Sequence, residues 1–322
     1  MITYIQKKEI DHNTISNLSQ QSIDQNHFTN NGPVKRALED HLTELLNIPQ
    51  SKRVLCVSNG TTALHALMWL YDKKFGRKLK WITPSFTFPS CVVGESNTEI
   101  FDISSATYTL DVDAIKDEDF DGIIITNLFG TIVEFDYEAF KDKIIITDNA
   151  SSFMTPDIML LGNASFSSLH HTKTLGFGEG GFIVCDEADY HTLQSIASFG
   201  FNGAVKEYST QSSNFKMSDV SAAYILQHIK QYDIARHYEI QKTIANTIGQ
   251  DRIFNYSPNV FYGNLPILFD RNILVDEFNG CGIEVNKYYK PIKDTPNAAK
   301  LYNRIINFPL YCTLTDEEVE TI

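Results

Sequence analysis

The sequence predicts an α/β fold in which a mainly parallel sheet is covered by helices and followed by a smaller α+β region. Three observations carry this expectation. Short β-branched runs such as Gly122-Ile-Ile-Ile-Thr-Asn127 and Lys143-Ile-Ile-Ile-Thr-Asp148 have few polar interruptions, as strands buried on both faces do. Extended and helical patterns alternate through the first two-thirds of the chain. With 322 residues, the chain is long enough for roughly two domains with a sizeable core.

Taken in order, Arg53-Val-Leu-Cys-Val-Ser58 reads as a strand, and the stretch from Thr61 to Tyr71 as a helix. Leu79-Lys-Trp-Ile-Thr83, Glu99-Ile-Phe-Asp-Ile103 and the two isoleucine runs continue as strands. Ser165-Phe-Ser-Ser-Leu169 and Gly181-Phe-Ile-Val-Cys185 complete the series. From Ser218 to about Ile248 the apolar positions Val220, Ala223, Ile225, Ile229 and Ile234 predict one long helix. Beyond it come short strands at Asn259-Val-Phe-Tyr262 and Leu265-Pro-Ile-Leu-Phe269, a turn at Gly280-Cys-Gly282, and a helix start within Thr313-Leu-Thr-Asp-Glu-Glu-Val-Glu320. The expected division is a large unit over residues 1–235, including the N-terminal segment, and a small one over 236–322.

Composition narrows the function classes. Hydrophobic residues at 43% and charged ones at 21% describe a soluble globular protein. With 27 Lys plus Arg against 40 Asp plus Glu, the net charge of −13 argues against a nucleic-acid surface, while leaving room for a local basic pocket. The N-terminus lacks the apolar core of a signal peptide, and no apolar run approaches the ~20 residues of a membrane span. Five scattered cysteines without CxxC spacing fit a reduced, cytoplasmic protein. No metal site is expected, because adjacent His170 and His171 on a strand would point to opposite faces.

Three groups of residues carry chemistry. Ser58-Asn-Gly-Thr-Thr62 joins a strand to a helix, where N–H groups and the hydroxyls of Thr61 and Thr62 can meet a phosphate and Gly60 permits close approach. A simple helix cap is the competing reading. Asp148 ends a strand, where ligands bind in open α/β sheets, and could pair with a protonated pyridine nitrogen. Lys173 follows 25 residues later, preceded by Ser167 and Ser168 and followed by Gly176, Gly178, Gly180 and Gly181. A lysine there can form an imine with an aldehyde cofactor, its amine made nucleophilic by a lowered pKa. Together these residues point to pyridoxal phosphate (PLP), with Ser168 at its phosphate and Phe88 stacked on its ring. Gly176-Phe-Gly-Glu-Gly-Gly181 formally matches GxGxxG, but it precedes a strand and not a helix, against dinucleotide binding.

These motifs resemble the DegT/DnrJ/EryC1/StrS family of sugar aminotransferases, and the likeness runs over most of the chain. Asn30-Asn-Gly-Pro33 with Leu38-Glu-Asp-His41 is similar to the family's GPxVxxxE element. Val57-Ser-Asn-Gly-Thr-Thr-Ala-Leu64 resembles its phosphate loop, and Thr83-Pro-Ser-Phe-Thr-Phe88 its PSFTF segment. Ser168 through Lys173 with Gly178-Glu-Gly-Gly181 resembles FSFxxTK…GEGG, and Asn214-Phe-Lys-Met-Ser-Asp219 resembles NYRMSD. Tyr288-Tyr-Lys-Pro291 is similar to a tyrosine-rich segment near the substrate.

The resemblance implies a fold-type I, aspartate aminotransferase-like PLP enzyme. Lys173 would form the imine and shuttle protons, Asp148 would hold the pyridine nitrogen, and Phe88 would cover the ring. Gly60, Thr61 and Ser168 would bind phosphate, and Asn214 would reach the phosphate site of the neighbouring subunit in a homodimer with shared active sites. The implied reaction moves an amino group from glutamate to a nucleotide-linked keto-sugar, within amino-sugar and polysaccharide or lipopolysaccharide biosynthesis. Lys287 and Lys290 are candidates for the diphosphate. Two departures bear on substrate choice: Ser151, in Thr147-Asp-Asn-Ala-Ser151, stands where the family has Gln or His near the cofactor, and Lys216 stands for Arg. The nearest alternative is a PLP- or pyridoxamine-dependent nucleotide-sugar dehydratase of the same family, which carries His in place of the imine lysine. A non-catalytic protein on the same fold is the third reading.

Overall fold

The computed structural model describes residues 1–94, 96–201 and 208–322. After helices α1 (His12–Asp24) and α2 (Pro33–Leu45) come β1 (Lys52–Val57), α3 (Gly60–Phe75), β2 (Trp81–Pro84), β3 (Thr98–Phe101), a short α4 (Val112–Ile115), β4 (Gly122–Thr126), β5 (Ile144–Asp148), β6 (Ala164–Ser168) and β7 (Gly181–Asp186). The strands form one seven-stranded sheet in the order β1-β7-β6-β5-β4-β2-β3. All run parallel except β7, which is antiparallel to both β1 and β6. The strands expected from the isoleucine runs lie at its centre, where β4 and β5 are buried along their whole length. This is the mainly parallel α/β arrangement the sequence predicts.

Helix α3 packs on β6 and β7, and its side chains Ala63, Leu64, Leu67 and Leu70 join Ile146, Phe166 and Ile183 of the sheet in one core. On the other face, Val34, Leu38 and Leu42 of α2 pack with Phe182, Val184 and residues of α6 (Asp219–Gln231). Helix α5 (Tyr190–Ile196) lies on the α3 side.

The long helix expected from Ser218 to Ile248 is instead two, α6 and α7 (Ile234–Ile248). Tyr232 turns to an extended conformation, and the Asp233 carboxylate caps α7 by accepting from the Arg236 N–H. After α7 come β8 (Leu265–Leu268), α8 (Pro296–Arg304), β9 (Ile305–Phe308) and α9 (Asp316–Thr321), with β8 and β9 paired as an antiparallel two-stranded sheet. The strand expected at Asn259–Tyr262 does not form. Its backbone bonds go to side chains: Gln241 donates to Val260 O at 2.8 Å, and the Phe261 and Tyr262 N–H groups donate to Thr155 and Gln241. The expected turn at Gly280–Gly282 and the C-terminal helix are both present.

Carboxylates tie the pieces together. Asp102, just past β3, accepts from the Asn297 and Ala298 N–H groups and from the Thr295 hydroxyl, capping α8. Asp219, at the end of the Asn214–Asp219 motif, is 1% exposed. It accepts from the Val34 and Lys35 N–H groups at the start of α2, both at 3.0 Å, and from the Ser22 hydroxyl at 2.6 Å. Removing it strands three buried donors, each costing about 1–3 kcal/mol. Asp219→Ala is therefore expected to lose about 3 kcal/mol or more of stability by urea unfolding; a loss below about 1 kcal/mol would show that α2 is docked by its apolar face alone.

Candidate active site

The C-terminal edge of the parallel strands gathers most of the residues singled out from the sequence. Asp148 is the last residue of β5 and only 3% exposed. Its main-chain carbonyl accepts from Asn127 N–H and its Oδ1 from Ala150 N–H, each at 2.9 Å. Beneath it lies a buried amide pair, with Asn127 Nδ2 donating to Asn149 Oδ1 at 2.7 Å. Asn149 Nδ2 also meets Ile158 O at 3.2 Å, and Ser167 Oγ donates to Asn149 O at 2.8 Å. The network fixes the backbone that carries the carboxylate.

Lys173 lies on the tight turn after β6. Its N–H donates to His170 O at 2.8 Å and its carbonyl accepts from Gly176 N–H at 3.0 Å. The next residue anchors the turn: Thr174 Oγ1 donates to Gly263 O at 2.8 Å, and His228 Nε2 donates to Thr174 O at 2.9 Å. The residue as a whole is half-buried, but its amine is desolvated.

Burial raises the Asp148 carboxyl to about 6, against the Ala150 bond and the Lys173 charge, which both lower it. Burial likewise lowers Lys173, while Asp148 opposes the change. Each group is therefore short of water and within reach of the other's field. A carboxylate with one N–H partner suits a further cationic N–H, and an amine held below its ordinary pKa suits attack on a carbonyl.

Ser151, Ser152 and Ser168 line a small cleft together with Lys173. The larger cavities lie elsewhere, one lined by His65, Trp69, Trp81 and Phe215, another by Arg36, Lys52, Arg53 and Tyr190. Ser168 ends β6 directly beneath the first turn of α3, where a Cβ on Gly60 would come 3.2 Å from Ser168 Cβ. Gly181, opening β7, is tighter still, because a Cβ there would lie 2.4 Å from the carbonyl carbon of Asn59. The first turn of α3 thus sits against β6 and β7, its N–H groups presented at the sheet edge.

Within Ser58–Thr62 the helix cap falls to two residues. Asn59 and Thr62 form a reciprocal cap, with Thr62 N–H donating to Asn59 Oδ1 at 2.9 Å and Asn59 N–H to Thr62 Oγ1 at 3.2 Å. The Thr62 hydroxyl is spent on this cap, so Thr61 is the hydroxyl of the pair left to a ligand. Asn214 is exposed and accepts from Lys216 Nζ at 2.6 Å. Its segment runs beside the end of β1, where Phe215 O accepts from Ser58 N–H at 2.8 Å, so Asn214 and the helix turn are neighbours.

Phe88, just beyond β2, is 55% exposed and so is not plain core. The Cys91 thiol, which feels the Asp148 charge, donates to its carbonyl at 3.3 Å. Among the residues proposed for the diphosphate, Lys287 is already engaged: its ammonium donates to the carbonyls of Ile273 and Asn303 and lies 5.0 Å from the centre of the Tyr302 ring. Lys290 is exposed. Tyr289 is a site residue the sequence did not single out. Burial and the Asp148 charge raise its hydroxyl pKa, with Ser151 beside it working against this. Its ring stacks on Phe129 at 5.7 Å. The signal was the tyrosine pair, which says nothing of which ring turns inward.

Among the described residues, no group of three or more His, Cys, Asp or Glu side chains is placed to hold a metal ion, and no helix is long and apolar enough to cross a membrane.

The buried carboxylate yields a prediction for the apoprotein. Raising Asp148 from 3.8 to about 6 makes its ionisation in the folded state cost on the order of 2–3 kcal/mol above pH 6. No such cost exists below pH 3.8, where the group is protonated in both states. Asp148→Asn, which keeps an acceptor for Ala150, is expected to raise the urea midpoint of the apoprotein at pH 8. The gain should shrink as the pH falls through about 6 and vanish near 4. Equal midpoints for the two proteins at pH 8 would mean the carboxylate is solvated.

A helix turn for phosphate, a water-poor carboxylate and a desolvated amine fit the phosphate, ring nitrogen and aldehyde of PLP. The sequence matches the DegT/DnrJ/EryC1/StrS aminotransferase family over residues 9–322. It is 25% identical to the dTDP-4-amino-4,6-dideoxy-D-glucose transaminase of Shigella dysenteriae, over 92% of this chain and 90% of that one. The putative sugar aminotransferase Spr1654 of Streptococcus pneumoniae, in its PMP form, superposes with a TM-score of 0.81 at 20% identity, over 98% of this chain and 94% of that one. Helicobacter pylori PseC, an aminotransferase involved in the biosynthesis of pseudoaminic acid, superposes at 0.79 with 17% identity, over 98% and 95% of the two chains. With the match spanning nearly its whole length, this chain belongs to the DegT/DnrJ/EryC1/StrS aminotransferase family, and its cofactor is pyridoxal phosphate.

Proposed function

We propose that this protein transfers an amino group from glutamate to a keto-sugar carried on a nucleoside diphosphate, with Lys173 as the reacting amine. The observation that carries the reading is the desolvated pair of Asp148 and Lys173 at the C-terminal edge of β5 and β6. The sugar and nucleotide are suggested by the Shigella dysenteriae relative, named for a dTDP-amino-sugar, and by the resemblance of Tyr288–Pro291 to a substrate-side segment.

Bound PLP supplies an aldehyde that exchanges amines and a ring that accepts electrons when a Cα–H bond breaks. The chain's own residues supply the rest. Asp148 holds a proton on the ring nitrogen; a cation at its carboxylate reverses the effect of burial and keeps it ionised. Lys173, whose amine burial holds below its ordinary pKa, would bind the aldehyde and, once released, would carry the proton lost from Cα of the donor. Gly60 and the Thr61 hydroxyl meet the phosphate at the positive end of α3, with Ser168 below. Phe88 covers the ring, and Asn214 serves the phosphate of a neighbouring subunit in a homodimer. Ser151, next to the Tyr289 hydroxyl, would stand beside the cofactor, where the family resemblance implies Gln or His. Lys290 is the remaining basic candidate for the diphosphate, since Lys287 is engaged within the small region.

The dehydratase reading needs a histidine at the reacting position, and His170 is committed to other partners. His170 Nδ1 is 2.9 Å from Thr172 Oγ1 and its Nε2 is 3.5 Å from Glu179, on the exposed side of the turn. The charge that acts on Asp148 is that of Lys173 and not that of His170 or His171. This supports transamination over dehydration.

The test is borohydride reduction of the PLP-loaded protein followed by peptide mapping, and incubation with glutamate and a panel of keto-sugar nucleotides read by mass spectrometry. A pyridoxyl group on Lys173, loss of visible absorbance with glutamate, and an amino-sugar nucleotide product are expected. Lys173→Ala should lower turnover by at least about 10²–10⁴-fold, the usual worth of a positioned proton carrier. A pyridoxyl group on another lysine, or none, overturns the proposal.

A further inference from the structure

The first nine residues form an extended strap that runs from the small region to the turn carrying Lys173. Ile2 pairs with Ile283: its N–H donates to Gly282 O at 2.7 Å and its carbonyl accepts from Glu284 N–H at 2.8 Å. Tyr4 N–H donates to Glu284 at 2.9 Å, and the Tyr311 hydroxyl donates to Thr3 O at 3.0 Å. The Tyr4 ring lies 6.0 Å from that of Tyr288. At the far end, Gln231 Nε2 donates to Glu9 O at 3.2 Å. Ile2 and Gln6 are buried and Tyr4 and Lys8 half-buried, whereas Met1, Thr3, Ile5 and Lys7 are exposed, the two-residue alternation of an extended chain with one face covered.

Lys8 ends this inner face, and its ammonium meets three carbonyls of a single turn. Its Nζ donates to His171 O and Lys173 O, both at 2.7 Å, and to Gly176 O. An ammonium has three donors and no acceptor, so all of its hydrogen-bonding capacity goes into this one loop. Among the described residues no carboxylate forms an ion pair with Lys8. Without that ammonium, three carbonyls crowded around one point would lose their shared donor, and the turn would keep only its own backbone bonds and the anchors at Thr174.

We propose that Lys8 is a positioning residue for Lys173, its ammonium gathering the carbonyls on either side of the reacting lysine and so fixing where that amine projects. The inference rests on the reading of Lys173 given above. Burial pushes Lys8 down to about 7, and bonds from three carbonyls, which favour the charged form, work against this. His171 and His228, the titratable groups beside it, are themselves lowered by burial and by the charge of Lys8, so no competing cation is expected at the turn. The field at Lys173 comes from burial and Asp148, which leaves Lys8 to act through position.

Competitive labelling of the apoprotein with a small amine-reactive anhydride, read by peptide mass spectrometry, tests the clamp in the unaltered chain. Lys8 should label at least about tenfold more slowly than its exposed neighbour Lys7. Equal rates at the two lysines would overturn the proposal. In the second arm, Lys8→Met removes the donors while keeping the unbranched apolar stem of the side chain. The expected result is a fall in kcat of about 10–100-fold with KM for the amino donor changed less than about threefold, as for a reacting group displaced by about an ångström. The pH profile of Lys173 labelling should also move upward by about one pH unit as water reaches the loosened turn. A Lys8→Met protein with unchanged kcat and an unchanged Lys173 profile overturns the proposal. If that variant does not fold, the Lys7 and Lys8 comparison decides alone. A pyridoxyl group mapped to another lysine would instead defeat the functional reading, and is told apart because it leaves the Lys8 labelling as it was.

Discussion

A carboxylate and an amine deprived of water at the same sheet edge set the demands that the surrounding structure meets. Asp148 and Lys173 come from consecutive strand ends, and burial acts on each in the direction that removes its charge. Neither is stable as an isolated buried ion, so the fold has to hold both in place until a ligand completes them. The Asn127–Asn149 pair under β5 and the Ser167 bond to Asn149 O do this on the carboxylate side. On the amine side the work falls to turn carbonyls and their partners. The polar network is fully buried, and it is costly unless every member is satisfied, which explains why amides and hydroxyls of matched geometry occupy these positions.

A second division runs through the sequence motifs. Within each one, some residues face the ligand and others only hold the backbone. In Ser58–Thr62, Asn59 and Thr62 close the helix cap, which leaves Gly60 and Thr61 at the mouth. In Asn214–Asp219, Asn214 is exposed while Asp219 is buried and docks α2. Polar residues in a motif therefore do not share a single role. Each cap fixes the neighbour that does the chemistry, because the backbone torsions of one residue set the direction of the next.

The sheet was legible because its strands are buried on both faces, and unbroken isoleucine, valine and threonine runs leave little else for the chain to do. Asp148, Ser168 and Lys173 were legible for a related reason: a polar residue at the end of such a run is at the sheet edge by construction. What escaped depended on distant partners. The break between α6 and α7 follows from Asp233 acting as a cap where the apolar period continues unbroken. Asn259–Tyr262 has strand composition, but Gln241 and Thr155, far away in sequence, take its backbone bonds. Lys287 looks like any basic residue until Ile273 and Asn303 are brought beside it. The inward face of residues 2–8 carries a period of two, but it spans too few residues, of too mixed a chemistry, to stand out.

The small region reaches the large one through groups of different kinds, and the difference bears on function. Asp102 capping α8 is a fixed joint of charge-assisted bonds. Tyr289 is an aromatic contact, packed on Phe86 and Phe129 of the large region with its hydroxyl at Ser151. The residues proposed for the cofactor thus lie on the central sheet, whereas Tyr288 and Tyr289 approach them from the other side. Residues on that side can change size and polarity without disturbing the strand ends that hold Asp148 and Lys173. On the proposed reading, substrate choice can therefore change while the reaction stays the same.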